Sequence, residues 1–142
     1  ALETPYRKIH DQTLFQLVNE TQVEDFDASS LFYSEKTFRP ISLFQPFIIW
    51  GQPGANKFLK NLGYYTYDDW FDLSFDSEKD PIIRYEKLFQ TLTDTCNYLD
   101  SLNKKDRIEW RFKNSQKLKH NFRTMAKSQY SYDKLCKFLA NI

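Results

Sequence analysis

An acid and a base stand side by side at Glu35 and Lys36, directly after Ser34. Serine is a preferred residue just before a helix, and a helix start presents free backbone N–H groups with a partial positive charge, which bind phosphate. Lys36 adds a mobile positive charge that suits a diphosphate, and the Glu35 carboxylate can accept hydrogen bonds from the hydroxyls of a ribose. The triplet therefore indicates a nucleotide site, and an ordinary capped helix on the surface remains the alternative.

Two strands and two helices would position this triplet. Residues 13–19 alternate and are rich in β-prone side chains, whereas residues 46–51 form a short apolar run, typical of a strand buried on both faces. The pattern predicts helices over residues 35–43 and 55–62. The order strand, helix, strand, helix is that of a parallel α/β unit, and we expect the second strand to be central in its sheet.

The carboxyl ends of both strands are expected at one edge of the sheet, where open α/β sheets bind ligands. Asn19 and Glu20 follow the first strand, and Gly51 and Gly54 follow the second. The helix start after the first strand should line an open cleft with them. The predicted nucleotide-binding residues are Ser34, Glu35, Lys36, Asn19, Glu20, Gly51 and Gly54.

The whole chain, residues 1–142, is predicted to be one domain. An α/β core covers about residues 12–63, an acidic aromatic loop residues 64–80, and a helical region residues 81–142. Apolar residues recur at three- and four-residue spacing in the helical region. The apolar stripe predicted for its first helix is Ile82, Tyr85, Leu88, Phe89, Leu92, Cys96 and Leu99. The predicted fold class is therefore α/β, with a small parallel Rossmann-like sheet followed by a helical carboxyl-terminal wrap.

Charge is distributed unevenly along the chain, although the net charge is only +1. Residues 1–102 carry 9 basic and 16 acidic side chains, whereas residues 103–142 carry 11 basic and 3 acidic ones. A basic helix predicted over residues 104–127 could bind nucleic acid, because such stripes neutralise phosphates. It could also be a solvated face, or dock on the acidic first part of the chain. We expect any nucleic-acid binding to be weak and non-specific.

The acidic loop carries carboxylates at a spacing that argues against a metal site. Its closely spaced aspartates are Asp68, Asp69, Asp72, Asp76 and Asp80. Their spacing fits no calcium loop, which needs a glycine at its sixth position. We therefore predict a solvated loop held to the core by Trp70 and Phe71, and no metal.

Two cysteines, Cys96 and Cys136, form neither a disulfide framework nor a metal cluster. Both fall within amphipathic helical patterns, which predicts buried free thiols and a reducing environment. No apolar run approaches the length of a membrane span, and no secretory signal opens the chain. We therefore predict a cytoplasmic protein without a membrane partner.

Three motifs and one residue pair carry a resemblance to a known group of proteins. They are "SEKTFRP" at 34–40, "QPFIIWGQPG" at 45–54, "LGYYTYDDWFD" at 62–72, and His120-Asn121. The chain resembles, over about residues 14–123, a group of uncharacterised phage-type and bacterial proteins. That group is similar to the carboxyl-terminal, sugar-nucleotide-binding half of fucosyltransferase-like GT-B glycosyltransferases, in which a Glu-Lys pair opens the helix before a strand ending in glycine. This second resemblance covers residues 14–54.

The resemblance implies a donor-binding role for these residues. Glu35 would contact the nucleotide ribose and Lys36 the diphosphate, while Asn19 and Glu20 would lie near the sugar or the ribose. The donor would be a nucleotide sugar, the reaction would be glycosyl transfer, and no metal or other cofactor is implied. GT-B enzymes have two Rossmann-like halves and only the second is matched, so an amino-terminal half is an expected partner. Catalytic residues are not indicated.

Two functions of other classes remain open. The first is a non-catalytic interaction module, such as one in a phage particle, in which exposed aromatic side chains contact another protein. The second is an accessory protein that binds nucleic acid through residues 104–127. If a phage encodes the protein, its location would be the host cytoplasm or the virion.

Overall fold

A computed structural model of the chain describes residues 13–24, 31, 33–113 and 115–140, with side chains described up to residue 128. The described elements are, in chain order, β1 (Gln16–Asn19), α1 (Glu35–Ser42), β2 (Phe47–Trp50), α2 (Ala55–Asn61), a 3₁₀ turn (Ser74–Ser77), α3 (Pro81–Ser101), α4 (Lys104–Phe112) and α5 (Ser115–Ala140). The mixed α/β class predicted from the sequence is confirmed.

The two strands pair in parallel, as predicted. Gln16 lies opposite Phe47, and Val18 opposite Ile49. Phe47 is 3% exposed, and Ile48 and Ile49 are fully buried, so β2 is covered on both faces as its continuous apolar sequence indicates. Within the described residues the sheet has two strands. In that part of the chain β2 therefore has one neighbouring strand, and not the two expected of a central strand.

The first helix, α1, leads from β1 to β2 and begins where its sequence predicts. Ser34 is its N-cap, and the Ser34 Oγ accepts a hydrogen bond from the Lys36 backbone N–H at 3.2 Å. Pro40 lies inside the helix, which ends at Ser42. Phe44 then takes a left-handed φ of 51°, which turns the chain towards β2. A proline inside a helix limits its length, and α1 is short as expected.

The acidic aromatic segment 64–80 fills the core with rings. Its almost fully buried rings are Tyr67, Phe71 and Phe75. The ring of Tyr67 meets that of Phe47 at a centroid distance of 5.5 Å and an interplanar angle of 76°, an edge-to-face arrangement that aromatic pairs prefer. Trp70 contacts Trp110 of α4 at 4.2 Å between ring centroids. These contacts confirm that aromatic residues hold this segment to the core.

The third helix, α3, buries only part of its predicted apolar stripe, namely Leu88 and Leu99. Its buried residues are Arg84, Leu88, Thr91, Thr95 and Leu99. Ile82, Tyr85 and Phe89, predicted to face the core, are 70%, 59% and 62% exposed. Cys96 is also exposed, so the prediction of a buried thiol is wrong there, and the side chain of Cys136 lies outside the described residues. The stripe prediction is wrong for these four residues, because α3 packs on the 3₁₀ turn through its partly polar face.

The basic region is split between two helices. α4 ends at Phe112 and α5 begins at Ser115, so the continuous helix predicted over residues 104–127 is interrupted there. α4 has its own cap, since the Asn103 Oδ1 accepts a hydrogen bond from the Asp106 backbone N–H at 2.9 Å. Among the helices of the described residues, none combines the length and apolar character needed to cross a membrane.

Candidate functional site at the carboxyl edge of the sheet

Glu20, which follows β1, binds the first turn of α1. Its carboxylate accepts hydrogen bonds from the Ser34 backbone N–H at 3.1 Å, the Ser34 Oγ at 2.7 Å and the Thr37 Oγ1 at 2.6 Å. Glu20 is 3% exposed. A carboxylate at a helix start also complements the helix dipole. Glu20 therefore anchors α1 to β1.

The environment of Glu20 favours its ionised form. Burial is the largest single effect and raises the pKa of Glu20, but the hydrogen bonds from Thr37 and Ser34 and the positive charge of Lys36 together outweigh it. The pKa consequently lies below the ordinary value of 4.5. Because the folded-state pKa is lowered, the stabilisation from Glu20 is present above pH 4.5 and is lost as the pH falls through the folded-state pKa.

We expect the Glu20→Gln variant to be less stable than the wild type at about pH 7 by about 1–3 kcal/mol, because Gln cannot accept all three hydrogen bonds. The difference should shrink below pH 4.5, where the wild-type carboxylate begins to be protonated. Urea unfolding of both proteins at several pH values measures this difference. Glu86→Gln, on the exposed face of α3, is the matched control, and a difference that stays constant with pH would contradict the expected role of Glu20.

The other predicted residues at this strand end face solvent. Asn19, Glu35 and Lys36 are exposed. The Lys36 Nζ donates a hydrogen bond to the Thr21 Oγ1 at 3.0 Å, and no ion pair among the described residues includes Lys36. The structure therefore brings the Glu-Lys pair to the carboxyl end of β1, with the Lys36 ammonium next to a neutral acceptor.

Gly51 directly follows β2 and lies at the carboxyl edge of the sheet, beside the end of β1. It is buried, and a Cβ at this position would lie 3.5 Å from the Cβ atoms of both Glu20 and Ala55. The two strand ends are therefore in close contact around Gly51. Glu20 thus lies between Gly51 and Ser34 at this edge.

Gly54 belongs to a separate cluster, closed by Asp76. The Gly54 backbone N–H donates to the Asp76 carbonyl at 2.7 Å. The Asp76 carboxylate accepts hydrogen bonds from the Asn56 backbone N–H at 3.0 Å, the Asn56 Nδ2 at 2.9 Å and the Lys57 backbone N–H at 3.0 Å. These are donors that a phosphate would use at a helix start. A protein carboxylate thus occupies the start of α2, and Gly54 contributes no open anion site there.

Arg84 joins the ends of both strands, and the sequence patterns did not single it out. Its Nη1 donates to the Val23 carbonyl at 3.1 Å, its Nη2 donates to the Gly51 carbonyl, and its guanidinium lies 4.2 Å from the ring centroid of Trp50. Burial lowers the pKa of Arg84, and the negative charge of Asp76 opposes this shift. In the sequence, the only indication of its burial is that Arg84 lies four residues before Leu88, the spacing of residues on one face of a helix.

The five aspartates of the acidic segment each have a separate partner. Two of them form ion pairs, Asp68 with Lys60 at 2.9 Å and Asp69 with Lys117 at 2.6 Å. The other three accept hydrogen bonds from backbone N–H groups. Asp72 accepts from Ser74 at 2.9 Å, Asp76 binds the start of α2, and Asp80 caps α3 through Ile82 at 2.9 Å. Among the described residues, no group of three or more His, Cys, Asp or Glu side chains could hold a metal ion. These carboxylates stabilise local structure.

The pair His120-Asn121 attaches α5 to the segment after α2. The Asn121 Oδ1 accepts from the Tyr65 N–H at 2.7 Å, and its Nδ2 donates to the Tyr65 carbonyl at 2.9 Å. The His120 Nε2 lies 2.7 Å from the Gly63 carbonyl oxygen. Both residues therefore have structural contacts within the chain.

Comparison of the chain with protein-family models, curated proteins and solved structures finds no match. The relationship to GT-B glycosyltransferases stays a prediction from the sequence motifs.

Proposed function

We propose that this domain binds a nucleotide sugar at the carboxyl edge of the sheet, as the Rossmann-like donor-binding half of a GT-B-like glycosyltransferase with a helical carboxyl-terminal wrap. The observation that carries the proposal is the position of Lys36. Its ammonium is exposed beside the end of β1 and donates to Thr21, a neutral acceptor. Exchanging Thr21 for a diphosphate oxygen would give the ammonium an anionic acceptor in place of a neutral hydroxyl, and so a stronger hydrogen bond.

The contacts of Glu20 define where a diphosphate would lie. Glu20 already accepts the Ser34 N–H at the start of α1, and its negative charge would repel a phosphate placed there. The diphosphate is therefore expected on the solvent side of Lys36, held by the side chain and not by the helix backbone. Glu35, the adjacent exposed residue, would accept hydrogen bonds from the ribose hydroxyls.

Donor binding accounts for only part of a transfer reaction. An acceptor site and a general base are also needed, and in the proposed arrangement an amino-terminal Rossmann-like half supplies them. The described residues around Lys36 supply binding and orientation of the donor. No metal is needed in this proposal, since Lys36 provides the positive charge for the diphosphate.

Replacing Lys36 by alanine is expected to weaken nucleoside diphosphate binding about ten- to a hundredfold, the effect of losing one charge-assisted hydrogen bond. Calorimetric titration with a panel of nucleoside diphosphates and nucleotide sugars measures the change. Lys79→Ala removes an exposed lysine elsewhere and is the matched control. Because Lys36 is exposed, the ligand-free variant should remain folded, and equal affinities for wild type and variant would rule out the site.

Glu35→Gln should act differently from the lysine variant. It is expected to weaken binding of ribonucleotides more than binding of their 2′-deoxy counterparts, because only the former offer a vicinal diol. If no compound in the panel binds the wild type, the proposal of a donor-binding half fails as a whole.

A non-catalytic interaction module is the second candidate. Two observations favour it, namely the protein carboxylates at the starts of α1 and α2 and the exposed apolar residues of α3. Nucleic-acid binding receives less support, because several basic residues are neutralised within the chain. Lys117 pairs with Asp69 at 2.6 Å, and Arg107 lies 3.7 Å from Asp100.

A further inference from the structure

A small cavity of about 200 Å³ lies between α3 and the segment that precedes the 3₁₀ turn. The segment contributes Trp70 and Asp72 to its lining, and α3 contributes Asp94, Thr95 and Tyr98. The two walls are joined directly, because the Thr91 Oγ1 donates to the Asp72 carbonyl at 2.7 Å. Sites for drug-sized molecules measure about 300–1,000 Å³, so this cavity fits a smaller group.

The cavity has an acidic lining on both walls. The Asp94 carboxylate accepts from the Gln90 Nε2 at 2.8 Å, and the Asp72 carboxylate accepts from the Ser74 N–H at 2.9 Å. Both donors are neutral. In the part of the chain that the structure describes, neither carboxylate forms an ion pair, and no basic side chain lines the cavity. Its charge is therefore complementary to a cation.

Thr95 adds an unused hydroxyl to the same cavity. The residue is 8% exposed, and within the described residues its side chain has no hydrogen-bond partner. Buried polar side chains nearly always have a partner, so this hydroxyl is an exception that a ligand would remove. It can accept a hydrogen bond from an N–H donor that enters the cavity.

The aromatic part of the lining favours an organic cation. Tyr98 is 54% exposed, and the face of a tyrosine ring attracts an ammonium or guanidinium group. Trp70 provides apolar surface for an alkyl chain. Among the described residues, no group of three or more His, Cys, Asp or Glu side chains could hold a metal ion, here or elsewhere.

We infer that this cavity binds a primary alkylammonium group. The ammonium would donate hydrogen bonds to the Asp94 carboxylate and the Thr95 hydroxyl, and Asp72 would add a second negative charge. A primary ammonium has three N–H donors and no acceptor, which suits a lining of carboxylate and hydroxyl oxygens. The alkyl chain would pack against Tyr98 and Trp70. Two sources offer this group, namely a free aliphatic amine and the side chain of a lysine in a peptide.

NMR titration of the isotope-labelled full chain with butylamine tests the inference. Saturable shifts are expected at the Trp70 indole N–H and at the backbone N–H groups of Asp94 and Thr95, with a dissociation constant of about 1 mM or lower. The trimethylated analogue of butylamine has the same charge but no N–H donor, so it should bind at least about tenfold more weakly. Nα-acetyl-lysine methylamide presents the same ammonium on a peptide. Tighter binding than butylamine would identify a lysine side chain as the source, and weaker or equal binding a free amine.

Three variants separate a specific site from general attraction to an acidic surface. Asp94→Asn keeps the size of the side chain but removes its charge, and it should weaken butylamine binding about ten- to a hundredfold. Thr95→Val removes the unused hydroxyl, and it should weaken binding about two- to tenfold without destabilising the fold. Glu86→Gln removes an exposed carboxylate of α3 outside the cavity and should change the affinity less than about twofold.

Three results would overturn the inference. They are the absence of saturable shifts up to about 20 mM butylamine, equal effects of Asp94→Asn and Glu86→Gln, and equal affinity for butylamine and its trimethylated analogue. None of the lining residues belongs to the proposed nucleotide-binding set, so these results bear on the cavity alone.

Discussion

Replacing Asp76 by alanine is expected to destabilise the folded domain by about 3–5 kcal/mol, the cost of breaking a buried charged network. Asp76 is 6% exposed, and its carboxylate accepts from the backbone N–H groups of Asn56 and Lys57 and from the Asn56 side chain. Alanine would leave these donors without their acceptor at the buried start of α2. It would also remove the negative charge that complements the dipole of α2.

Two further variants make this prediction specific. Asp76→Asn can keep the Oδ1 acceptor but would present an NH₂ group to the Lys57 N–H, so we expect an intermediate cost of about 1–3 kcal/mol. Asp94→Ala removes an exposed aspartate that accepts from Gln90 within α3 and should change stability by about 0.5 kcal/mol or less. Urea unfolding measures all three free energies. Equal values for Asp76→Ala and Asp94→Ala would mean that Asp76 does not close the helix start.

The sequence predicts the α/β part well because its signals are local. Ser34 followed by Glu35 identifies the start of α1, and the continuous apolar run at residues 47–49 identifies a strand buried on both faces. Gly63 takes a φ of 91° just after α2, the left-handed conformation in which glycine commonly ends a helix. Such features depend on neighbours within a few residues, so they can be read without the tertiary structure.

The face that α3 buries could not be predicted in the same way. An apolar stripe shows which side prefers to leave water, but it does not show which element covers that side. The irregular segment beneath α3 offers carbonyl groups, and polar side chains of the helix bind them. Thr91 donates to the Asp72 carbonyl at 2.7 Å, and Arg84 donates to carbonyls after both strands. The need to satisfy these acceptors is invisible in a pattern of apolar residues.

For a related reason, the sequence predicts the place of the candidate site in the fold but not the contacts of its charged side chains. The topology brings Glu20, Ser34 and Lys36 to one edge, as parallel pairing requires. The sequence could not show the direction of each charged side chain. Glu20 points to the start of α1 and Asp76 to the start of α2, so the two helix starts are already neutralised. Among the predicted ligand contacts, Asn19, Glu35 and Lys36 remain exposed.

The burial of β2 on both faces has a direct consequence for stability. Side chains of a strand alternate between its faces, so Phe47 and Ile49 share one face while Ile48 lies on the other. Phe47 packs against Tyr67 with ring centroids 5.5 Å apart. Ile48 is fully buried. If both faces are covered, truncation on either face must open a cavity.

Phe47→Ala is therefore expected to destabilise the domain by about 3–5 kcal/mol, and Ile48→Ala by about 2–5 kcal/mol, through the lost burial and the cavity that remains. Phe89→Ala, at a 62% exposed position on α3, is the matched control and should cost about 1 kcal/mol or less. Chemical unfolding of the three variants compares the two faces directly. A strand with one solvent-facing side would give one large effect and one close to the control, because only the covered face can form a cavity. Large effects for both variants would establish β2 as the doubly covered strand from which the carboxyl edge and its Lys36 site are positioned.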